Sequence, residues 1–196
     1  MKKILILNGS NTGTTMYFAT KIIEENSKKH SGEEFDVKIL DLTNEFKGKL
    51  MTSETILSGA YYSDSDTYIN MLLETDIIVV VSSMTNFSIS DTMKAFFNKV
   101  VVKGKTFEYS QNGPYAMLED KFKEKEVVIL FTSGSGIEFL PPAVQHIPQT
   151  IADTMNFIGF SKISIHWGDG TNMPDMMSKS LDQKYDAMNE KLYFDL

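Results

Sequence analysis

A chain of 196 residues, 42% of them hydrophobic, is long enough for one domain with a sizeable core. Its formal net charge of −7 excludes a surface built for nucleic acid or an anionic membrane, and no apolar run reaches the length of a membrane-spanning helix. Cysteine is absent and all 19 residues counted as Lys+Arg are lysine, which excludes disulfides, thiolate chemistry, cysteine-ligated metals and any guanidinium clamp on a phosphate.

The first strand, Lys3–Leu7, is too short for the core of a signal peptide and runs straight into a turn, so a cytoplasmic location is expected. The turn reads Asn8-Gly9-Ser10-Asn11-Thr12-Gly13-Thr14-Thr15, and a helix marked by Phe18, Ala19, Ile22 and Ile23 follows. A helix start offers unpaired N–H groups and partial positive charge, hence an anion site. The turn lacks both the Gly-Lys-Ser/Thr ending of a phosphate-transferring loop and the G-x-G-x-x-G of dinucleotide binders. What remains is a hydroxyl-rich loop suited to a phosphomonoester that is never transferred; an ordinary capped turn fits the same residues.

The second strand is Phe35–Leu40. Between Leu42 and Asp76 the pattern weakens. Short helices at Met51–Ser58 and Thr67–Glu74 flank Gly59–Asp64, whose adjacent tyrosines fit a lid, a dimer contact or a solvated loop equally well. The third strand, Ile77–Ser82, is apolar enough to be buried on both faces, as in a parallel sheet. It leads into Ser83-Met84-Thr85-Asn86-Phe87-Ser88-Ile89-Ser90, which offers backbone donors, one amide and one aromatic face. That suits a flat heteroaromatic ring better than acid–base chemistry.

Helix Asp91–Lys103 comes next, with Met93, Phe96, Phe97, Val100 and Val101 on one face, Ser88 or Ser90 as its cap and Gly104 at its end. The fourth strand, Glu126–Phe131, ends in Thr132-Ser133-Gly134-Ser135-Gly136-Ile137, and the helix opened by Pro148 turns Ile151, Met155 and Ile158 inward. After the fifth strand, Lys162–His166, Pro174 opens a helix with a stripe of Met177, Leu181, Tyr185, Met188 and Leu192. His30, His146 and His166 lack metal-ligand spacing and read as ordinary histidines, so no metal site is expected.

Strands alternating with helices imply one α/β domain over residues 1–196, a five-stranded parallel sheet with helices on both faces. In the flavodoxin-like order 2-1-3-4-5, the polar turns after strands one and three flank the point where ligands bind.

At residue level the run Met84–Ser90, then Lys94-x-x-Phe97, then Gly104–Pro114, closely resembles the FMN-dependent NADH-azoreductases, members of the flavodoxin-like NAD(P)H:quinone reductases. Ser133–Ile137 and Phe157-Ile158-Gly159 extend the likeness over nearly the whole chain. The resemblance implies a homodimer with FMN in each of two interface sites, NADH as donor, and quinones or azo compounds as acceptors. It implies that Ser10, Gly13, Thr14 and Thr15 hold the phosphate and that Met84, Thr85, Asn86 and Phe87 line the isoalloxazine ring. Ser133, Gly134, Ser135 and Gly136 would face its pyrimidine side, while Tyr109 and Phe157 would border the substrate space, Phe157 from the other subunit.

The family usually has Tyr at the position of Thr85, Arg at Gly134 and His at Glu138, and its phosphate loop often reads Ser-Gln-Ser where this chain has Gly13-Thr14-Thr15. The implied reaction is a two-electron ping-pong cycle from NADH through FMN, with no side chain as essential acid or base. The lack of Arg for a 2′-phosphate favours NADH over NADPH. Two other readings are a flavodoxin-type electron carrier and a hydrolase built on Ser10, the second lacking any identifiable base.

Overall fold

The computed structural model describes residues 1–29 and 35–196, so His30 lies outside the described residues. In chain order the elements are β1 (Lys2–Asn8), α1 (Gly13–Lys29), β2 (Phe35–Asp41), α2 (Leu42–Phe46), α3 (Ser53–Leu57) and α4 (Ser65–Leu73). Then come β3 (Ile77–Ser83), α5 (Asp91–Val100), β4 (Phe107–Ser110), β5 (Gly113–Ala116) and α6 (Glu119–Phe122). The chain closes with β6 (Glu126–Thr132), α7 (Ile147–Phe157), β7 (Lys162–Gly168), α8 (Pro174–Met177) and α9 (Leu181–Leu192).

Five strands form one sheet in the order β2-β1-β3-β6-β7, every neighbour parallel. Counted within the sheet alone this is the expected 2-1-3-4-5. Strand periodicity of two divides the core. Leu5, Leu7, Ile78 and Val80 face α5 and α7 with Phe96, Phe97, Ile151 and Met155. Ile4, Ile6, Val79 and Leu130 face α1 and α9 with Phe18, Ile22, Tyr185 and Leu192. All seven residues of β3 are buried, as its unbroken apolar run requires. None of the described helices is long and apolar enough to cross a membrane.

Four local features differ from the sequence reading. Helix α5 stops at Val100 rather than Lys103, because the buried Thr106 hydroxyl bonds the Val100 carbonyl at 2.6 Å and accepts from the Val102 N–H at 3.0 Å. Gly104, in the left-handed region at φ 78°, then turns the chain into the antiparallel β4–β5 hairpin, which lies outside the sheet. The C-terminal helix is two helices, since a capping box between Ser180 and Gln183 starts α9 afresh. Met176 is therefore buried in place of Met177, which is exposed.

The fourth difference is in the loop Gly59–Asp64, which is not a plain solvated loop. Tyr61 is buried, and the buried Lys99 on α5 donates to its carbonyl and to Asp64 Oδ1 at 2.5 Å. Burial alone would raise the Asp64 carboxyl, but the Lys99 ammonium outweighs it and holds the group below its ordinary range.

Candidate functional site

Three loops leave the carboxyl ends of the adjacent strands β1, β3 and β6, and side-chain hydrogen bonds join them. Gly9 lets the first loop press against α5: a Cβ there would stand 2.7 Å from Met93 Cε. Ser90 caps α5 and also donates to the Gly9 carbonyl at 2.6 Å. Ser10, nearly buried, donates to the Thr12 carbonyl at 2.7 Å and lies 3.2 Å from Thr15 Oγ1 and 3.3 Å from Ser83 Oγ. The fully buried Thr15 pairs with Thr132 at the end of β6, hydroxyl to hydroxyl at 2.6 Å. Asn11 Nδ2 donates to Thr85 Oγ1 at 3.2 Å.

So the hydroxyls of Ser10 and Thr15 point into the protein and fix the loop, and other groups remain for a ligand. The backbone N–H groups of Asn11, Gly13 and Thr14 and the hydroxyls of Thr12 and Thr14 make no hydrogen bond with another described residue. No acidic side chain occupies the first turn of α1. The result is a helix start whose free donors and partial positive charge suit an anion.

After β3, Met84 N–H bonds the Thr132 carbonyl at 2.8 Å. Thr85 and Ser88 then exchange backbone hydrogen bonds of 2.8 and 2.9 Å around Asn86 and Phe87, both left-handed at φ 46° and 63°. Two successive left-handed residues make a type I′ turn, which asparagine tolerates and phenylalanine does not. Phe87 is 59% exposed, so little packing within the chain compensates this strain, and its ring is left largely open to solvent in the turn that Asn11 ties to the first loop. Phe87→Gly is expected to raise thermal stability by about 1 kcal/mol, or a few degrees in Tm, while weakening ring binding. A melting curve paired with a cofactor titration checks both signs.

After β6 the chain turns its carbonyls one way. Those of Ser133, Gly134 and Ser135 accept from the N–H groups of Thr171, Asn172 and Gly170, each at 3.0 Å. The N–H groups of Gly134, Ser135 and Gly136 make no hydrogen bond with another described residue, leaving a row of donors. Ser133 Oγ accepts from Trp167 Nε1 at 3.1 Å and donates to the Ser135 carbonyl at 2.9 Å. Gly134 sits close to Asn172: a Cβ there would approach Asn172 Nδ2 to 3.0 Å, so a larger residue needs that side chain to shift. Asp169 fixes the next turn by accepting from the Ile137 N–H at 2.9 Å. Burial pushes its carboxyl up, but Lys191 and that N–H outweigh burial and hold it below the ordinary range.

The structure therefore brings Ser10, Gly13, Thr14, Thr15, Met84–Phe87 and Ser133–Gly136 to one edge of the sheet. It does not bring Tyr109 and Phe157 there. Phe157 ends α7 just before β7 begins, at the opposite, amino-terminal edge. It packs against Phe107 with ring centres 5.1 Å apart, and Phe107 meets Tyr109 at 5.6 Å. Phe157 also lines a cleft of about 370 Å³ between α5 and α7, with Met51, Tyr62, Lys94, Phe97 and Thr154.

The free hydroxyl of Thr14 belongs to a residue the sequence had assigned to the phosphate, whereas the free hydroxyl of Thr12 and the support that Thr132 and Trp167 give the loops were missed by sequence reasoning. The hydroxyl density of the first loop was the signal for the former, but pairing across strands is invisible in one dimension. Among the described residues no histidine or carboxylate hydrogen-bonds Ser10, so a serine hydrolase has no base here.

A family model described as "Flavodoxin-like fold" matches residues 2–192. The chain belongs to this flavodoxin-like family. An FMN-dependent NADH:quinone oxidoreductase of Shigella flexneri is 30% identical over 193 residues, covering 92% of this chain and 93% of that protein. One of the same name from Metamycoplasma arthritidis is 36% identical over 114 residues, 56% of this chain and 57% of its own length. In fold, this member of the flavodoxin-like family is similar to the crystal structure of an FMN-dependent NADH-azoreductase from Bacillus anthracis in complex with FMN. The TM-score is 0.68 at 18% identity, over 96% of this chain and 97% of the other.

Proposed function

We propose that this protein is an FMN-dependent NADH:quinone oxidoreductase that also cleaves azo compounds and works as a homodimer. The observation that carries the reading is the set of donors left free: N–H groups and hydroxyls at the start of α1, and a row of N–H groups at Gly134–Gly136. The first set fits a terminal phosphate held without a cation, and the second fits the carbonyl-rich pyrimidine end of a flavin. When bound, FMN supplies two-electron transfer, from NADH to a quinone or, in two successive turnovers, to an azo bond.

The chain's own residues bind and orient. Gly13 and Thr14 hold the phosphate, with Ser10 and Thr15 bracing the loop from within. Met84, Thr85, Asn86 and Phe87 lie along the ring, and Thr85 also receives the bond from Asn11 that ties this turn to the phosphate loop. Ser133, Gly134, Ser135 and Gly136 fix the ring's in-plane orientation. None of the residues assigned to the ring, Met84–Phe87 and Ser133–Gly136, carries an ionisable side chain, so protons come from water. Tyr109 and Phe157 border the acceptor pocket from a second copy, because their own cradle lies at the other edge of the sheet. The absence of arginine favours NADH over NADPH.

Steady-state rates with NADH and a simple quinone test the scheme. Parallel lines in double-reciprocal plots are expected, since donor and acceptor use one slot in turn; intersecting lines contradict it.

A further inference from the structure

Glu138 stands immediately past the row of free N–H groups, where it has no structural task. Gly136 has no side chain, and a Cβ there would stand 2.6 and 2.7 Å from Glu138 Oε2 and Oε1, so the carboxylate lies directly against the Gly136 α-carbon. It makes no hydrogen bond or ion pair with another described residue, and the residue is exposed.

Among the described residues no cation pairs with it directly, and the acidic groups around it outnumber the basic ones. The cavity it shares with Gly136 is lined by three carboxylates, Glu138, Asp169 and Asp175, and two ammoniums; Lys191 is paired with Asp169 at 2.7 Å, and the Lys179 ammonium lies against Met176 Sδ at 3.3 Å rather than against Glu138. A negative charge beside three free amide donors weakens the positive potential that those donors present.

We propose that Glu138 is a positioning charge that lowers the reduction potential of the bound flavin; this rests on the FMN reading of the Ser133–Gly136 loop. The reasoning concerns charge balance. Hydride transfer from NADH brings two electrons and one proton to the flavin and leaves NAD⁺, so reduction adds one negative charge, shared over the N1–C2 carbonyl end of the pyrimidine ring. Amide donors at Gly134–Gly136 stabilise that charge, and the Glu138 carboxylate opposes them. The reduced form is bound less tightly relative to the oxidised form than the loop alone would bind it. The bound flavin is consequently a stronger reductant, able to reach acceptors of lower potential than a neutral residue at 138 would permit.

The test is the two-electron midpoint potential of the FMN-loaded protein, measured by spectroelectrochemistry on wild type, Glu138→Gln and Glu138→Lys. Removing the charge is expected to tighten reduced over oxidised FMN about tenfold, a shift of about 30 mV to more positive potential. Glu138→Lys should move further in the same direction. Glu24→Gln, on the exposed face of α1, should not move the potential at all. If wild type holds FMN and Glu138→Gln has its potential unchanged, this inference falls alone. If wild type does not retain FMN, the cradle reading falls and takes this inference with it.

Discussion

Gly13→Asp is expected to abolish FMN retention while leaving the protein as stable as before, or slightly more so. A Cβ at Gly13 meets nothing within 4 Å, so the new side chain is accommodated without strain. A carboxylate in the first turn of α1 gains roughly 0.3–1 kcal/mol from the helix dipole, and replacing a helical glycine gains a further amount of similar size. The same carboxylate lies where the phosphate must sit. Two like charges about 4 Å apart near a protein surface repel by about 4 kcal/mol, enough to cost FMN affinity at least ~100-fold. Gly13→Asn, of the same size without the charge, should stay within about tenfold of wild type. Calorimetric titration with FMN beside a thermal melt reads both quantities, and opposite signs for stability and affinity mark an anion site. Wild-type affinity in the aspartate variant would place the phosphate elsewhere.

If the proposed homodimer forms, Phe157→Asp is expected to convert it to monomer and to lower quinone turnover about 100-fold, while FMN affinity changes by less than about tenfold. The argument is topological. A right-handed crossover carries α7 from the carboxyl end of β6 back to the amino end of β7, so Phe157 cannot reach the cradle of its own chain. Its ring is 37% exposed and, with Phe107 and the exposed Tyr109, forms an apolar patch beside the α5–α7 cleft. A charge there would break the proposed contact between copies without touching the phosphate loop. Sedimentation velocity and NADH:quinone rates on the same sample check it, and a monomer with wild-type turnover would remove the second copy from the acceptor pocket.

The sheet was legible because its strands are short apolar runs, Ile77–Val81 above all, set between helices of clear period. The three loops were legible for the same reason: once strand order is known, chain position alone puts Ser10, Met84 and Ser133 at one edge. Less legible was what each hydroxyl does. Thr14 and Thr15 are adjacent in sequence, yet one faces outward and the other is buried against Thr132, a difference set by the helical turn of about 100° per residue and by a strand 117 residues away. The β4–β5 hairpin escaped notice because its four-residue strands are too short for periodicity, although Asn112-Gly113 was a usable turn signal. The division of the C-terminal helix turned on Ser180 and Gln183, a capping box overlooked because the apolar stripe reads straight across it.

The central claim is tested most directly by titrating the cofactor-free protein with FMN while following Trp167, the one tryptophan in the chain. Its indole N–H holds Ser133, so occupation of the neighbouring loop is reported at the cradle itself. The account predicts saturable loss of emission at one FMN per chain, with riboflavin, which lacks the phosphate, binding at least ~100-fold more weakly. Equal binding of riboflavin and FMN, or no response to either, would contradict it.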